Sequence, residues 1–234
     1  MKYPGGKGKC FQRIINIFPP HETYIETHLG GGAVLRYKRE AAHSIGIDKD
    51  EQVISFWHNN HPHLAEFVQA DALEFLRSYQ FKGKELVYCD PPYVPSARKR
   101  TRVYRHDLSE ADHCVLLDTL VQLPCFVVIS GYASELYQSR LKDWHTISFV
   151  AKAHDGLREE HLWSNYRIPE QLHDIRYFGE NYRERQNFKR RMERMRRKIA
   201  RLSRPEQHDL IRWLSTQLKH GDGTNAGIYL PERD

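Results

Sequence analysis

Three consecutive glycines, Gly30-Gly31-Gly32, stand between the strand-like run Tyr24-Ile25-Glu26 and the apolar stretch Ala33-Val34-Leu35. Residues without a Cβ let the chain turn sharply and let a ligand approach the backbone, so a strand, a glycine turn and a helix open a nucleotide-binding βαβ unit. The following segments repeat that alternation. Ser44-Ile45-Gly46-Ile47-Asp48 reads as a second strand ending in an acid, followed by a helix from about Glu51 to Asn59. Phe67 to Asp71 reads as a third strand, again ending in an acid. The fourth is Leu86-Val87-Tyr88-Cys89, leading into Asp90, and the fifth runs from Cys125 to Ser130 after a helix over Ser109 to Leu123. Trp144 to Lys152 and Glu160 to Tyr166 read as two late strands, and Phe11 to Phe18 as an opening helix that Pro19-Pro20 ends. Strands alternating with helices predict an α/β fold with a largely parallel sheet covered on both faces.

The fourth strand ends in Asp90-Pro91-Pro92-Tyr93. Proline supplies no N–H and fixes φ, so the chain leaves the sheet in a stiff elbow. The elbow sets a carboxylate, free carbonyl oxygens and an aromatic ring on the sheet's carboxyl edge, where open α/β sheets bind their ligands. Alone, the tetrapeptide reads equally as a strand-end turn with a solvated Asp and as a grip on a planar group carrying an amine.

Composition narrows the setting. The chain has 234 residues, 40% hydrophobic and 28% charged, which suits a soluble globular protein with one main domain and an appendage. No apolar run approaches the roughly 20 residues that span a bilayer, and the start Met1-Lys2-Tyr3-Pro4 has no apolar signal core, so a cytoplasmic address is expected, without a membrane. Cys10, Cys89, Cys114 and Cys125 lack paired spacing and read as reduced thiols. His58, His61 and His63 span a helix end and a proline, a poor frame for metal ligands, and no metal is expected. The net charge is +6, and its placement matters more than its size. Residues 1–166 carry equal numbers of acids and bases, whereas 167–204 hold an excess of about eight positive charges. A neutral body with a basic appendage points to a polyanionic partner or, more blandly, to a solubilising helix face.

Taken together, these segments resemble the adenine-N6 DNA methyltransferases of the Dam type, as a small phage- or prophage-like member. The resemblance covers most of residues 1–166 in the order typical of that class: Lys2-Tyr3-Pro4-Gly5-Gly6-Lys7, Glu26-Thr27-His28-Leu29-Gly30-Gly31-Gly32, the acids Asp48 and Asp71, Asp90-Pro91-Pro92-Tyr93, and Leu162-Trp163-Ser164-Asn165-Tyr166. It implies a Rossmann-like S-adenosylmethionine-dependent methyltransferase sheet. It also implies that Tyr3, Lys7, Glu26, Gly30, Gly32, Asp48, Asp71 and Asp90 bind the cofactor S-adenosyl-L-methionine. Asp48 would take the ribose hydroxyls, Asp71 the exocyclic amine, and Lys7 would sit by the carboxylate; Asp71 equally suits the N-cap of the helix after it. Asp90, Pro91, Pro92 and Tyr93 would be catalytic, with Tyr93 stacking on an adenine flipped out of double-stranded DNA. His28 departs from the family's usual phenylalanine.

The expected organisation is a catalytic domain over 1–166, a basic helical extension over 167–220 and a flexible tail over 221–234. In the extension, Phe188, Met192, Met195, Ile199 and Leu202 form an apolar seam on an arginine-rich helix. Ser203-Arg204-Pro205-Glu206 has capping-box spacing before a second helix bearing Leu210, Ile211, Leu214 and Leu218, which gives a C-terminal basic helical hairpin. Only about 18 residues separate Asp71 from Asp90, the length of a crossover helix, so the recognition insert common in the family has no room. DNA contacts then fall to Arg98, Lys99, Arg100 and Arg102 after the elbow and to Arg190, Arg194 and Arg197 in the hairpin, with a short or relaxed target. Cytosine N4, RNA adenine or protein glutamine are alternative amines, and a non-catalytic nucleic-acid-binding module is the alternative of another class. A Rossmann oxidoreductase is disfavoured by the missing dinucleotide fingerprint.

Overall fold

The computed structural model of the chain describes residues 6–97, 106–153, 156–179 and 181–221. Tyr3, Arg98, Lys99, Arg100, Arg102 and the tail from residue 222 lie outside the described residues.

Seven strands form one sheet: β1 (Thr23–Thr27), β2 (His43–Asp48), β3 (Glu66–Gln69), β4 (Glu85–Cys89), β5 (Phe126–Gly131), β6 (His145–Ala153) and β7 (Gly156–Ser164), in the spatial order β3-β2-β1-β4-β5-β7-β6. The first five pair in parallel. The two late strands form a hairpin, and β7 is antiparallel to both β5 and β6. The fold is therefore α/β and Rossmann-like, as expected, with an antiparallel edge.

Parallel strands buried on both faces need continuous apolar runs, and β4 shows this: all five of its residues are buried. Its side chains alternate between two cores. Leu86 and Tyr88 join the cluster built by α1 (Phe11–Asn16), α2 (Ala33–Tyr37) and α3 (Glu51–Asn60), through Ile14, Leu35 and Trp57. Val87 and Cys89 join the other, with Leu76 of α4 (Ala72–Ser78), Leu117 of α5 (Glu110–Val121) and Tyr137 of α6 (Glu135–Arg140). The spatial order reverses between β1 and β4, and the ends of these two strands open a crevice at the carboxyl edge.

Three local readings shift, and one is the last strand, which spans Gly156–Ser164 and so begins before the expected Glu160. The third strand stops at Gln69, and Asp71 lies beyond it as the N-cap of α4. The six-residue helix α6 had no periodic signal; Ser134 starts it by accepting a hydrogen bond from the Tyr137 amide at 3.3 Å.

The chain divides into two compact units after Phe178. Residues 167–178 belong to the first: the Tyr177 hydroxyl donates to the Tyr37 carbonyl at 2.8 Å, and its ring meets Phe11 edge-on. The second unit contains α7 (Tyr182–Ala200) and α8 (Arg204–Gly221). Asn181 caps α7 by accepting from the Glu184 amide at 3.0 Å, and at α8 the Ser203 amide donates to the Glu206 carboxylate at 2.7 Å, half of the anticipated capping box. Phe188, Met192, Ile199, Leu202 and Leu210 are half-buried, whereas Met195, Ile211 and Leu214, also placed on the seam by the sequence pattern, are exposed. Among the described residues no helix is long and apolar enough to cross a membrane.

Candidate active site

β1 ends in Glu26-Thr27 and the chain turns at once, with left-handed backbone at His28 (φ 59°), Gly30 (φ 44°) and Gly32 (φ 52°). Such a run is permitted because glycine carries no Cβ and histidine is among the residues that tolerate this region. The Trp57 indole of α3 closes under the turn, its Nε1 donating to the Gly30 carbonyl at 3.1 Å. A Cβ on Gly32 would lie 2.4 Å from Trp57 Cζ2, so packing as well as φ demands glycine there.

Around this turn lies a cavity of about 310 Å³. Its lining brings together Lys7, Glu26, Gly30, Gly32, Asp48, Asp71, Asp90, Pro91 and Pro92 from segments far apart in the chain. His28, Lys49 and the His106–Leu108 segment complete the wall, and no sequence signal marked that last segment.

The acids differ in how they are held. Asp48, at the end of β2, accepts from the Gly30 amide at 2.8 Å and from the Asp50 amide at 2.9 Å, which fixes the glycine turn to the neighbouring strand. Burial raises its pKa, with the two amides opposing. Asp71 takes the capping role: it accepts from the amides of Leu73 at 2.9 Å and Glu74 at 3.4 Å, and from Lys49 Nζ at 3.3 Å. Burial works against its charge, but these partners hold its pKa below the ordinary value. Glu26 is buried and accepts on one oxygen from the Tyr24 hydroxyl at 2.7 Å and the Leu35 amide at 2.8 Å, tying β1 to α2. Burial pushes its pKa up to about 8. Burial likewise lowers His28 to about 4, so its ring is neutral near pH 7.

The elbow after β4 carries a network that the sequence did not reveal. Lys7 Nζ lies 2.6 Å from Asp90 Oδ1 and 2.6 Å from the Tyr93 hydroxyl. Ser130 Oγ, at the end of β5, donates to the same Asp90 oxygen at 2.7 Å, and the Tyr88 hydroxyl lies 3.0 Å from Ser130 Oγ. Tyr93 donates in turn to Glu160 Oε2 of β7 at 2.6 Å. Burial alone would lower the Lys7 pKa, but the Asp90 and Glu160 carboxylates outweigh it and hold the ammonium firmly protonated.

Two sequence expectations look different in this light. Lys7, assigned to a cofactor carboxylate, is 5% exposed and pairs with Asp90. Tyr93, assigned to stack on a base, is 5% exposed, with its hydroxyl between Lys7 and Glu160 and its ring edge-on to Tyr132, 4.4 Å between centroids. Ser130 and Glu160 were missed as site residues. No sequence signal marked Glu160, which sits in the polar run Arg158-Glu159-Glu160-His161 at the start of the expected strand.

No family model matches this chain, and no curated protein matches it. Similar solved structures include TrmK of M. capricolum in complex with S-adenosyl-homocysteine, at 8% identity and TM-score 0.47 over 91% of this chain and 96% of that one. The N-methyltransferase NodS of Bradyrhizobium japonicum has 9% identity and TM-score 0.48, over 67% of this chain and 93% of that one. The magnesium protoporphyrin IX methyltransferase of Synechocystis, solved with bound SAM, has 12% identity and TM-score 0.41, over 63% and 71%.

The histidines near α3 are used in packing. His58 Nε2 lies 3.1 Å from the Phe67 carbonyl, and the His61 ring packs on Trp57. Among the described residues no group of three or more His, Cys, Asp or Glu side chains is arranged to hold a metal. Arg190, Arg194 and Arg197 are exposed at helical spacing on one face of α7.

Proposed function

We propose that the protein is an S-adenosylmethionine-dependent methyltransferase that modifies the N6 amine of adenine in DNA. The observation that carries this reading is the shared cavity. The glycine turn, Asp48 and Asp71 line the same space as Asp90 and Pro91 near the sheet's switch point, which supports the reading of a methyl-donor site beside an amine grip.

The lining suits the cofactor. The glycine turn lets a ligand approach the backbone, and carboxylates at the ends of β2 and before α4 suit hydroxyl and amine donors. Asp48 would hold the ribose and Asp71 the adenine amine while continuing to cap α4. When bound, the cofactor supplies an electrophilic methyl group on a sulfonium. The protein's own task is to make a poor nucleophile competent, because an exocyclic amine's lone pair is delocalised into the ring. Asp90 accepts one N–H bond and the Pro91 carbonyl the other, which directs the lone pair away from the ring. Ser130 keeps the Asp90 carboxylate oriented for that contact. Positioning of this kind carries much of a transfer rate. Arg190, Arg194 and Arg197, with the Arg98–Arg102 cluster, would bind phosphates, giving a steeply salt-dependent affinity and a short or relaxed target.

The test is labelled methyl transfer from S-adenosylmethionine to DNA, RNA and protein in parallel, with the product nucleoside identified by mass spectrometry. N6-methyladenine in DNA is the expected product. Label confined to RNA or protein refutes the substrate, and a single long target read strictly refutes relaxed recognition.

A further inference from the structure

Asp90 Oδ1 is already taken, by the Lys7 ammonium at 2.6 Å and by Ser130 Oγ at 2.7 Å, so an amine would meet the other carboxylate oxygen while the buried Lys7 stays in place. Breaking a buried ion pair without replacing its partner is strongly unfavourable. The orientation of the Asp90 carboxylate therefore depends on where Lys7 is held.

A second carboxylate is present. Glu160 is 7% exposed on β7, and the Tyr93 hydroxyl bridges it to Lys7 through two contacts of 2.6 Å. Lys7 N–H points to the phenol oxygen, and the phenol O–H points to Glu160, so the donors run in one direction toward Glu160. Lys7 also lies over the Tyr93 ring, 4.8 Å from its centroid. We propose that Glu160 is a positioning residue: through Tyr93 it helps to hold the Lys7 ammonium on Asp90 Oδ1, which keeps the other carboxylate oxygen turned to the substrate's amine. The inference rests on the reading of Asp90 as the amine acceptor.

The surroundings isolate this arrangement. The groups facing Glu160 are Lys7 from the N-terminal loop, Cys10 beside α1, Asp90 and Tyr93 from the elbow, and His161 of its own strand, while β6 presents the apolar Phe149 opposite it. Burial raises the Glu160 pKa, with Lys7 and the Tyr93 hydrogen bond opposing, so protonation of Glu160 on acidification removes the counter-charge.

The experiment compares wild type, Glu160→Gln, Tyr93→Phe and the double variant. Glutamine preserves shape and can still accept from Tyr93, so the fold should survive, which circular dichroism checks. Glu160→Gln should lower kcat on the order of tenfold, within the range of coupled networks, with the KM for S-adenosylmethionine changed less than about twofold. The wild-type kcat should fall on the acid side through a group that the variant lacks. Tyr93→Phe should act in the same direction, and the double variant should lose little more than either single one; full additivity overturns the bridge. Without donor or substrate, reductive methylation should label Lys7 faster in Glu160→Gln, because its ammonium has lost a counter-charge. Wild-type kcat together with unchanged Lys7 labelling in that variant overturns the proposal. A wild-type protein that methylates nothing refutes the function proposed above, whereas the labelling rates still decide the role of Glu160.

Discussion

Gly32→Ala is the sharpest test of how the glycine turn is held. Gly32 has φ 52°, and a left-handed conformation costs an L-residue about 1–2 kcal/mol. The added Cβ would lie 2.4 Å from Cζ2 of Trp57 and 3.0 Å from two further ring atoms. Trp57 cannot yield easily: it is 1% exposed, bonded to the Gly30 carbonyl and stacked on Phe67 at 5.7 Å. Overpacking of this kind costs about 1–3 kcal/mol, so the two effects sum to about 2–5 kcal/mol. At about 2–4 °C per kcal/mol for a chain of this size, Tm should drop by roughly 5–20 °C. Urea unfolding followed by tryptophan fluorescence measures the loss. Gly32→Ala in a Trp57→Phe background removes the clash partner and should show a smaller increment, leaving the conformational part. A loss under about 0.5 kcal/mol, the range of ordinary surface changes, would refute both the packing and the strain argument. Because Gly32 lines the cavity, S-adenosylmethionine affinity measured by calorimetry should fall as well.

The remaining expectations concern the acids, the histidines and the hairpin. Asp90→Asn keeps the shape of the grip and removes its charge, so methyl transfer should fall by roughly 10²–10³-fold, the scale for loss of one preorganised electrostatic partner, with cofactor binding still measurable. Asp71→Ala should cost about 1 kcal/mol for the lost cap and also weaken S-adenosylmethionine binding; unchanged affinity would leave Asp71 with capping alone. His21, His28 and His173 have pKa values lowered to about 4 by burial. The unfolded chain binds more protons than the folded one between pH 6.5 and 4, so their contribution to stability is lost as pH falls through that window. Glu26 acts with the opposite sign: its pKa, raised to about 8, lets stability decline as pH rises from 4.5 to 8, and Glu26→Gln should flatten that decline in denaturation curves. Replacing Arg190, Arg194 and Arg197 with alanine together should reduce the slope of log affinity for DNA against log salt by about 2–3, measured by fluorescence anisotropy.

The parallel half of the sheet was legible because its signals are local. Apolar runs bounded by glycine, acid or proline place β1, β2, β4 and β5 within a residue or two of their observed ends. That Gly30, Asp48 and Asp90 line one cavity was legible for a related reason: each lies at or just after the end of a strand, and strand ends meet at one edge. Less was legible where a residue's role depends on a partner distant in sequence. Lys7 finds Asp90 across 83 positions, and nothing near Lys7 announces a carboxylate. Asp71 carried two readings because an acid before a helix serves as a cap whether or not it also meets a ligand. The seam of the hairpin was overread at Ile211 and Leu214, since helical spacing marks a face without saying that anything covers it.

The antiparallel edge explains why the elbow can recruit Glu160. In a parallel strand, residues that reach the carboxyl edge come from its end, as Asp90 does after β4. β7 runs the other way, so moving toward the end of β5, from Ser130 opposite Leu162 to Gly131 opposite His161, moves toward the start of β7. Glu160 is the next residue of β7 and therefore falls at the same edge as Asp90 and Ser130, although it lies within its strand. A parallel strand in that position would have turned this segment toward the opposite edge, away from Lys7 and Tyr93. The reversal at β7 thus does more than finish the sheet: it delivers to the edge that holds Asp90 a second carboxylate within reach of the Lys7–Tyr93 pair.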